Sequence, residues 1–362
     1  MVQWVKDPET AYELFRSGQA DIITWLPSEY LPLVNQQVAN GQAKIYQFPT
    51  LFTNALYSPE WFGMGCYNET WLQSYFGPQY HIPIDYFLNL DVRKAWAYAF
   101  NYNYFLDDIL GNKRYGVEVG SSFAGAGNLQ GLPYSVPESE LQNVPVYNLT
   151  YAKQLLQKSG EYSASIYIPF PVYPLSLPGM DNQTAFAMAE MYAAALHSID
   201  PNIVMTPVNY NPDTAYASSS GNFFFWVPIG IWNKVPDYPH PSDYVDFYYL
   251  NPGTPSWLNS TGHPDQAAMQ AQLNTLVTEA DATTNETLAT QDYKQAEQIA
   301  INLYLYVYLD QPSSFYVVKP YMNAYHGEIS YLMNPMLYTT QYVWWVKTCG
   351  STQACSGRGI GP

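Results

Sequence analysis

The chain has 362 residues, 48% of them hydrophobic, and a formal net charge of −16 that comes from 14 Lys and Arg against 30 Asp and Glu. This hydrophobic content excludes a disordered chain, and the length exceeds what one ordinary core can organise, so two lobes are expected. The scarcity of Lys and Arg excludes a nucleic-acid partner and argues against an anionic membrane surface, because few side chains can neutralise phosphates.

In the first half of the chain, apolar periodicity and capping residues predict a helix from about Pro8 closed by Gly18, a strand at Asp21–Trp25, and strand segments around Pro59 between Ala55 and Asn68. A loop is expected to continue to about Leu88. Three further helices are predicted: one capped by Asp91, one at Tyr104–Leu110, and one at Leu149–Ser159 that is capped by Asn148 and stopped by Gly160. The loop at residues 115–146 is rich in Gly, Pro and Ser.

In the second half, the predicted elements are a strand at Ser165–Phe170, a helix capped by Asp181, strands at Ile203–Asn209 and Phe223–Trp232, long helices at Asp265–Asp281 and Glu286–Leu309, and a strand-like stretch at Ser314–Met322. Strands that alternate with helices predict an α/β lobe. The longest apolar stretches, Phe223–Trp232 and Ile301–Leu309, are far shorter than the roughly 20 residues of a membrane-spanning helix, and no signal peptide is visible at the N-terminus.

Tyrosine is unusually frequent, with 35 residues or about one in ten, and this content indicates a surface built from neutral polar groups. Such a surface suits an acidic medium, where carboxylates lose charge near their reference pKa of about 4. We hold the acidic medium as a hypothesis from composition.

Cysteine and sequon usage favours a location outside the cell. Cys349 and Cys355 are spaced for a local disulfide, which leaves Cys66 unpaired; three reduced thiols in a cytosolic protein are the alternative. Five Asn-x-Thr sequons occur, at Asn68, Asn148, Asn182, Asn259 and Asn285, against roughly three expected by chance.

Enzyme signatures are absent from the sequence. The five histidines include no pair at metal-ligand spacing, and no His-Glu-x-x-His, Gly-x-Ser-x-Gly or Gly-x-x-x-x-Gly-Lys element occurs. The sequence therefore predicts a protein that is not an enzyme and needs no cofactor or metal.

Four segments together resemble the family 5 extracellular solute-binding proteins, the oligopeptide- and dipeptide-binding receptors of ABC importers. They are Leu-Phe-Arg-Ser-Gly-Gln-Ala-Asp-Ile near the start, Leu90-Asp-Val-Arg-Lys-Ala-Trp-Ala-Tyr-Ala-Phe, Asn148-Leu-Thr-Tyr-Ala-Lys-Gln-Leu-Leu-Gln-Lys-Ser-Gly, and Trp232 to Pro241 with Asp237-Tyr-Pro-His-Pro. Their order and spacing extend over about residues 10 to 340.

The resemblance implies an α/β, two-lobed periplasmic-binding-protein-like (type II) fold. A full member is longer, so the chain is expected to lack the N-terminal strand, the small N-terminal domain and the export signal. The expected divisions are 1–160 for a partial first lobe, 161–313 for the second lobe, 314–346 for a return to the first, and 347–362 for a C-terminal tail.

Family members bind ligand in the cleft between the lobes, where a carboxylate holds the α-ammonium group of a peptide. By motif match that carboxylate is Asp237, and a charge-assisted hydrogen bond from it contributes roughly 1.5–3 kcal/mol; a turn Asp is the structural alternative. Trp232, Tyr238 and Trp226 are the candidate stacking residues, with Tyr244 nearby, although core packing is the commoner role of such aromatics. No basic residue near Asp237 is placed to clamp a ligand carboxylate, which favours longer peptides or neutral oligosaccharides over free dipeptides.

The expected function is therefore an extracellular receptor that delivers a peptide or oligosaccharide to an ABC permease, held at the membrane only through an anchor outside this chain. The alternative is a structural cell-surface glycoprotein that keeps the fold but has lost its ligand. Among the sequons, we expect Asn259 and Asn285, placed in loops, to be glycosylated most readily and Asn182 less so. Asn68, matched to the end of a family strand, is expected to be buried, and at Asn148 a glycan is expected to compete with helix capping.

Overall fold

The structure is a computed structural model of the chain. It describes residues 7–23, 26–49, 52–57, 67–83, 85–115, 120–121, 136–172, 180–234, 240–244, 254–324 and 344–346, together with positions 3 and 5. The elements and contacts below belong to these residues.

The described helices are α1 Pro8–Arg16, α2 Leu31–Ala39, α3 Glu69–Phe76, α4 Leu90–Ala99, α5 Tyr102–Tyr104 with a following π-helical turn at Phe105–Ile109, α6 Asn112–Tyr115, α7 Leu149–Ser159, α8 Asn182–Ile199, α9 Pro212–Ser218, α10 Phe223–Trp226, α11 Thr254–Ser260, α12 Pro264–Ala282 and α13 Glu286–Leu303. The described strands are β1 Ile22–Ile23, β2 Lys44–Pro49, β3 Thr53–Tyr57, β4 Gly120–Ser121, β5 Ile166–Val172, β6 Ile203–Asn209, β7 Gly230–Lys234, β8 Tyr306–Val318, β9 Met322–Ala324 and β10 Trp344–Val346.

The 13-residue strand β8 organises the main sheet. Its first part pairs antiparallel with β3, and β3 pairs on its other edge with β7. Its last part pairs with β2 and with β1, and β4 pairs with Gln311 and Pro312 in between. Residues 44–49 and 54–57 therefore lie beside residues 306–318, and we call this arrangement the strand crossing.

A smaller lobe surrounds the last part of β8. Phe15 of α1 and Val34 of α2 are fully buried against Val317, on one face of the strands. Tyr316 and Val318 belong to a second small cluster with Met322. This alternation is expected for a strand whose two faces are both covered.

A larger lobe covers both faces of the first part of β8. Leu56, Val307 and Leu309 contribute to the largest hydrophobic cluster, which also contains α4, α7, α8 and the parallel pair β5–β6. Ala55 and Tyr308 instead join the cluster of the helical hairpin, which we define as α12 and α13. The β3–β8 sheet is thus a middle layer, which explains why all five residues of β3 are buried.

Several predicted elements are confirmed. The strand Ile203–Asn209 has the predicted bounds. Asn148 caps α7, Gly160 ends it with a left-handed φ of 84°, and the Asp181 side chain accepts a hydrogen bond from the Thr184 backbone N–H at 2.7 Å.

Two predictions in apolar stretches are wrong. The helix predicted at Glu286–Leu309 ends at Leu303, where Tyr304 adopts φ 49°, and the rest of the stretch belongs to β8. The strand predicted at Phe223–Trp232 is the short helix α10 followed by β7 from Gly230. Apolar runs alone do not separate a buried helix from a buried strand.

Gly230 is required where β7 begins, because a Cβ there would lie 2.8 Å from the Tyr57 ring.

Two predictions around helix starts are also wrong. The loop predicted up to Leu88 contains α3, whose N-cap is Asn68, so this residue starts a helix and does not end a strand. Asn89, not Asp91, caps α4: its Oδ1 accepts a hydrogen bond from the Asp91 backbone N–H at 3.0 Å. Asp91 lies one residue inside the helix and pairs with Lys158 at 2.9 Å.

The divisions 1–160, 161–313, 314–346 and 347–362 stay a prediction. Two observations bear on them. Helices α7 and α8, on either side of residue 160, contribute to one hydrophobic cluster. The pairing of β8 passes to the smaller lobe from Ser313 onward.

Candidate functional site

A layer of buried polar side chains lies in the middle of the strand crossing. Thr53 and Asn54 begin β3, and Asp310 and Gln311 are consecutive residues of β8; all four are at most 2% exposed. Asn54 lies opposite Asp310, whereas Gln311 pairs with Ser121 of β4. The Asn54 side-chain amide donates to Asp310 Oδ1 at 3.0 Å. Buried polar side chains are costly, so four of them in one layer mark a place where packing alone does not account for the residue types.

Asp310 is the most unusual member of the layer. Burial raises the pKa of its carboxyl to about 7, and the hydrogen bond from Asn54 opposes that rise. Its Oδ2 has no hydrogen-bond partner among the described residues. The carboxyl therefore holds a proton in acid and near-neutral conditions, which an ordinary Asp does not.

The register of the crossing changes at this layer. Asn54 pairs with Asp310, but Ala55 pairs with Tyr308, so the pairing shifts by one residue. Such irregularities locally interrupt the ladder and bend the strand.

Strand β7 brings the predicted binding motif to the edge of the same layer. Lys234, its last residue, pairs with Thr53, and the Trp232 backbone pairs with Ala55. Asp237 and Tyr238 lie outside the described residues. Asp237 stands three positions after Lys234, so the expectation that no basic residue lies near it is wrong, and the preference for longer peptides drawn from it loses that support. Asp237 also stands three positions before His240, whose ring centroid lies 6.2 Å from that of Tyr293 in the helical hairpin.

Trp226 belongs to an aromatic cluster on the larger lobe. Its ring lies 5.8 Å from that of Trp71, which also contacts Phe223, and the Trp226 carbonyl accepts a hydrogen bond from the Asn68 backbone N–H at 3.2 Å. Tyr244 is fully buried in the cluster of the hairpin. These contacts give both residues a packing role, and a ligand contact by Trp226 stays a prediction.

All five sequon Asn residues lie at a helix start or within a helix, so the expectation that Asn259 and Asn285 lie in loops is wrong. Asn148 and Asn285 are exposed N-caps whose Oδ1 atoms accept backbone hydrogen bonds, and Asn68 is a half-buried N-cap. Asn182 is the first residue of α8 and donates to Asn209 at 3.3 Å, whereas Asn259 is exposed within α11. A glycan is attached through the amide nitrogen, so capping through Oδ1 and glycosylation use different atoms.

Other site types find no support in the described part of the chain. Its His, Cys, Asp and Glu residues form no group that could hold a metal ion. None of its helices combines the length and apolar character needed to span a bilayer. The predicted disulfide of Cys349 and Cys355 lies outside the described residues.

Sequence reasoning missed the polar layer. It treated residues up to Leu309 as the end of a helix, and Asp310 was not singled out. The available signal was a single acidic residue between the apolar runs Tyr304–Leu309 and Phe315–Val318.

Comparison with known proteins identifies the family. The bacterial extracellular solute-binding proteins, family 5 (its middle region), match residues 2–256. The chain therefore belongs to this family, and the predicted resemblance is confirmed. No curated protein matches the chain.

Solved structures show the same fold. HbpA2 from Haemophilus parasuis has a TM-score of 0.66 and 16% identity, over 95% of this chain and 57% of that protein. A dipeptide binding protein from Pseudoalteromonas sp. SM9913, in complex with Met-Leu, has a TM-score of 0.59 and 17% identity, over 91% and 55%. DppA from Helicobacter pylori, in complex with the peptide STSA, has a TM-score of 0.57 and 14% identity, over 90% and 53%. The two-lobed periplasmic-binding-protein fold is confirmed, and the chain spans 53–57% of the length of these proteins.

Proposed function

We propose that this chain is part of an extracellular receptor that captures a peptide between its two lobes and delivers it to an ABC permease. The observation that carries the proposal is the buried polar layer at the strand crossing, bordered by β7, in a chain that belongs to a solute-binding family. A neutral oligosaccharide is the second ligand class, because the candidate side chains combine aromatic rings with a single carboxylate. The receptor acts without catalysis or a cofactor.

Within this proposal, Asp237 binds the ammonium group of the ligand, and Trp232 and Tyr238 stack against it. The support is positional: β7 ends beside Thr53, three residues before Asp237. Trp226 contributes to the larger lobe and reaches the ligand only at its periphery.

We further propose that the protein is glycosylated at the exposed sequons, first at Asn259 and Asn285, and that it works in acidic surroundings. The exposure of both Asn side chains and of Asn148 supports the glycan positions. The raised pKa of Asp310, caused by burial, supports the acidic surroundings.

Thermal-shift measurements with separate peptide and oligosaccharide pools test the ligand class. A ligand at 100 times its Kd stabilises the folded state by about 2.7 kcal/mol, so the correct pool raises Tm and the other does not. Asp237→Ala should weaken binding by about tenfold or more, and Asp213→Ala, which removes an exposed carboxylate in the first turn of α9, should not.

The competing function is a structural surface protein that keeps the fold without a ligand. No shift with either pool, together with an ordered assembly on electron-microscopy grids, would establish it. Normal peptide binding by Asp237→Ala would refute the site assignment while leaving the receptor function intact.

A further inference from the structure

The strand crossing is the place where the pairing of β8 changes most. Residues 306–310 pair with β3, residues 311–312 with β4, and residues 313–318 with β2. The register shifts by one residue at Asn54, beside Asp310. A change of partner and register within a few residues leaves this point with less continuous pairing than the strands on either side. Strand β8 runs through the point, but β3 begins there, and hinges include such element-terminal positions.

The surroundings of the Asp310 side chain favour a protonated, neutral carboxyl group over an ionised one. Asp310 Oδ1 accepts a hydrogen bond from Asn54, and Oδ2, fully buried and without a partner among the described residues, is the atom that carries the proton. When that proton leaves to solvent, a carboxylate remains in a buried layer, and its charge is stabilised by one amide donor. A buried, poorly paired charge costs several kcal/mol in general, so loss of the proton favours any arrangement that hydrates the carboxylate.

We propose that Asp310 is a proton-binding switch in the strand crossing, and that loss of its proton loosens the crossing and favours the open arrangement of the two lobes. The link to ligand capture rests on the proposed function; the link between the proton and the crossing does not.

Charged and titratable groups on the neighbouring elements are few. From β7, Lys234 lies two strands away from Asp310, opposite Thr53. From α4, Arg93 donates to the carbonyls of Phe87, Leu88 and Leu303 and to Gln266. The buried titratable groups in the hairpin and along β8, apart from Asp310 itself, are Tyr293, Glu297, Tyr306, Tyr308 and Tyr316. Burial is the main cause of the raised pKa of Asp310, and the Asn54 hydrogen bond acts against it.

The direction of the switch follows from linkage. In the open state the carboxyl is hydrated and ionises with an ordinary pKa of about 4, whereas in the closed state it keeps its proton up to about pH 7. Opening therefore becomes more favourable by about tenfold for each pH unit between about 4 and 7, and stays constant above that range.

Hydrogen exchange by mass spectrometry on the ligand-free protein tests the switch. After correction for intrinsic exchange, amide protection in segments 44–57 and 306–318 should fall with pH between about 4.5 and 7 and then level off. Helix α7, distant in sequence from both segments, should keep constant protection over this range. Equal pH dependence in both regions would overturn the proposal.

Three variants separate a switch from a merely structural role. Asp310→Asn keeps the size of the side chain without an ionisable group and should abolish the pH dependence in the crossing. Asn54→Ala removes the hydrogen bond that lowers the pKa and should extend the fall in protection to higher pH. Glu161→Gln, at another carboxyl whose pKa is raised by burial and by Asp85, should leave the crossing unchanged.

The outcomes distinguish this proposal from the proposed function. If Asp310→Asn does not fold, Asn54→Ala still decides, because an unshifted pH profile in that variant would refute the switch. If the crossing responds to pH as described but no peptide or sugar pool binds, the switch stands and the receptor function fails. If ligand binds and the crossing ignores pH, the receptor stands and the switch fails.

Discussion

Among the described helices, asparagine is the residue that most often provides the N-cap. The Asn N-caps whose side chains accept a backbone hydrogen bond are Asn68, Asn89, Asn101, Asn148, Asn211 and Asn285. Asn is among the best N-caps because its short side chain reaches the free N–H groups of the first turn. Three of these caps are also sequons, so capping accounts for part of the sequon excess without any glycan.

At Asn285, the contribution of helix capping to stability can be measured separately from the presence of a glycan. Its Oδ1 accepts hydrogen bonds from the backbone N–H groups of Thr287 and Leu288 at 3.0 and 3.3 Å. Asn285→Ala should lower the free energy of unfolding by about 1 kcal/mol, whereas Asn285→Asp, which keeps an oxygen at the cap, should change it little. Urea unfolding measures both, and Thr284→Ala, an exposed neighbour outside the sequon, is the control.

In a host that glycosylates sequons, both Asn285 variants should lose the same glycan mass. Equal stability of Asn285→Ala and the unsubstituted protein would show that the cap contributes nothing there. Intact masses that differ from that of the unsubstituted protein only by the substitution itself would show that the sequon is unoccupied.

Helices with caps at both ends were predictable, and strands in apolar runs were not. Asn148 and Gly160 delimit α7 from local chemistry alone, because caps act within a few residues. Residues 304–309 are apolar throughout, and only pairing with the distant β3 makes them a strand. The polar layer could not be predicted for the same reason: Asn54 and Asp310 are 256 residues apart and are brought together by strand pairing.

Arg93 lies in α4, the helix that carries one of the family-like segments, and its packing gives that helix a structural role. The sequence places it in the signature helix with Val92 and Trp96, and the structure buries it to 4% exposure. Its guanidinium donates to the carbonyls before α4 and at the end of α13, and to Gln266 at the start of α12. The residue thus fastens the helical hairpin to the larger lobe.

Arg93→Lys should lower the free energy of unfolding by about 2–4 kcal/mol, because an ammonium group cannot serve these acceptors in one plane and leaves buried carbonyls unsatisfied. Chemical denaturation measures the loss. Lys158→Ala, which removes an exposed ion pair with Asp91, should leave the midpoint nearly unchanged. A similar midpoint for Arg93→Lys and the unsubstituted protein would contradict the fastening role.

At the scale of the whole molecule, burial raises the pKa of some carboxyl groups, whereas hydrogen bonding lowers that of an exposed one. Among the described acidic residues, burial raises the pKa of Asp310 to about 7, and burial together with Asp85 raises that of Glu161. The exposed Asp7 has a lowered pKa through hydrogen bonds from Thr10. Acid denaturation depends on carboxylates that must be ionised in the folded state, and here the buried carboxyl is neutral.

Stability should therefore rise as the pH falls from about 7 to about 4. A group whose folded-state pKa is raised binds more protons when folded, so its contribution is complete below the unfolded pKa and is lost as the pH rises through the folded pKa. For Asp310 the span from 3.8 to about 7 corresponds to no more than about 4 kcal/mol. Urea unfolding between pH 3 and pH 8 measures the effect, and Asp310→Asn should flatten most of it. Maximum stability near neutral pH with unfolding at pH 3 would contradict both this prediction and the adaptation to acidic surroundings.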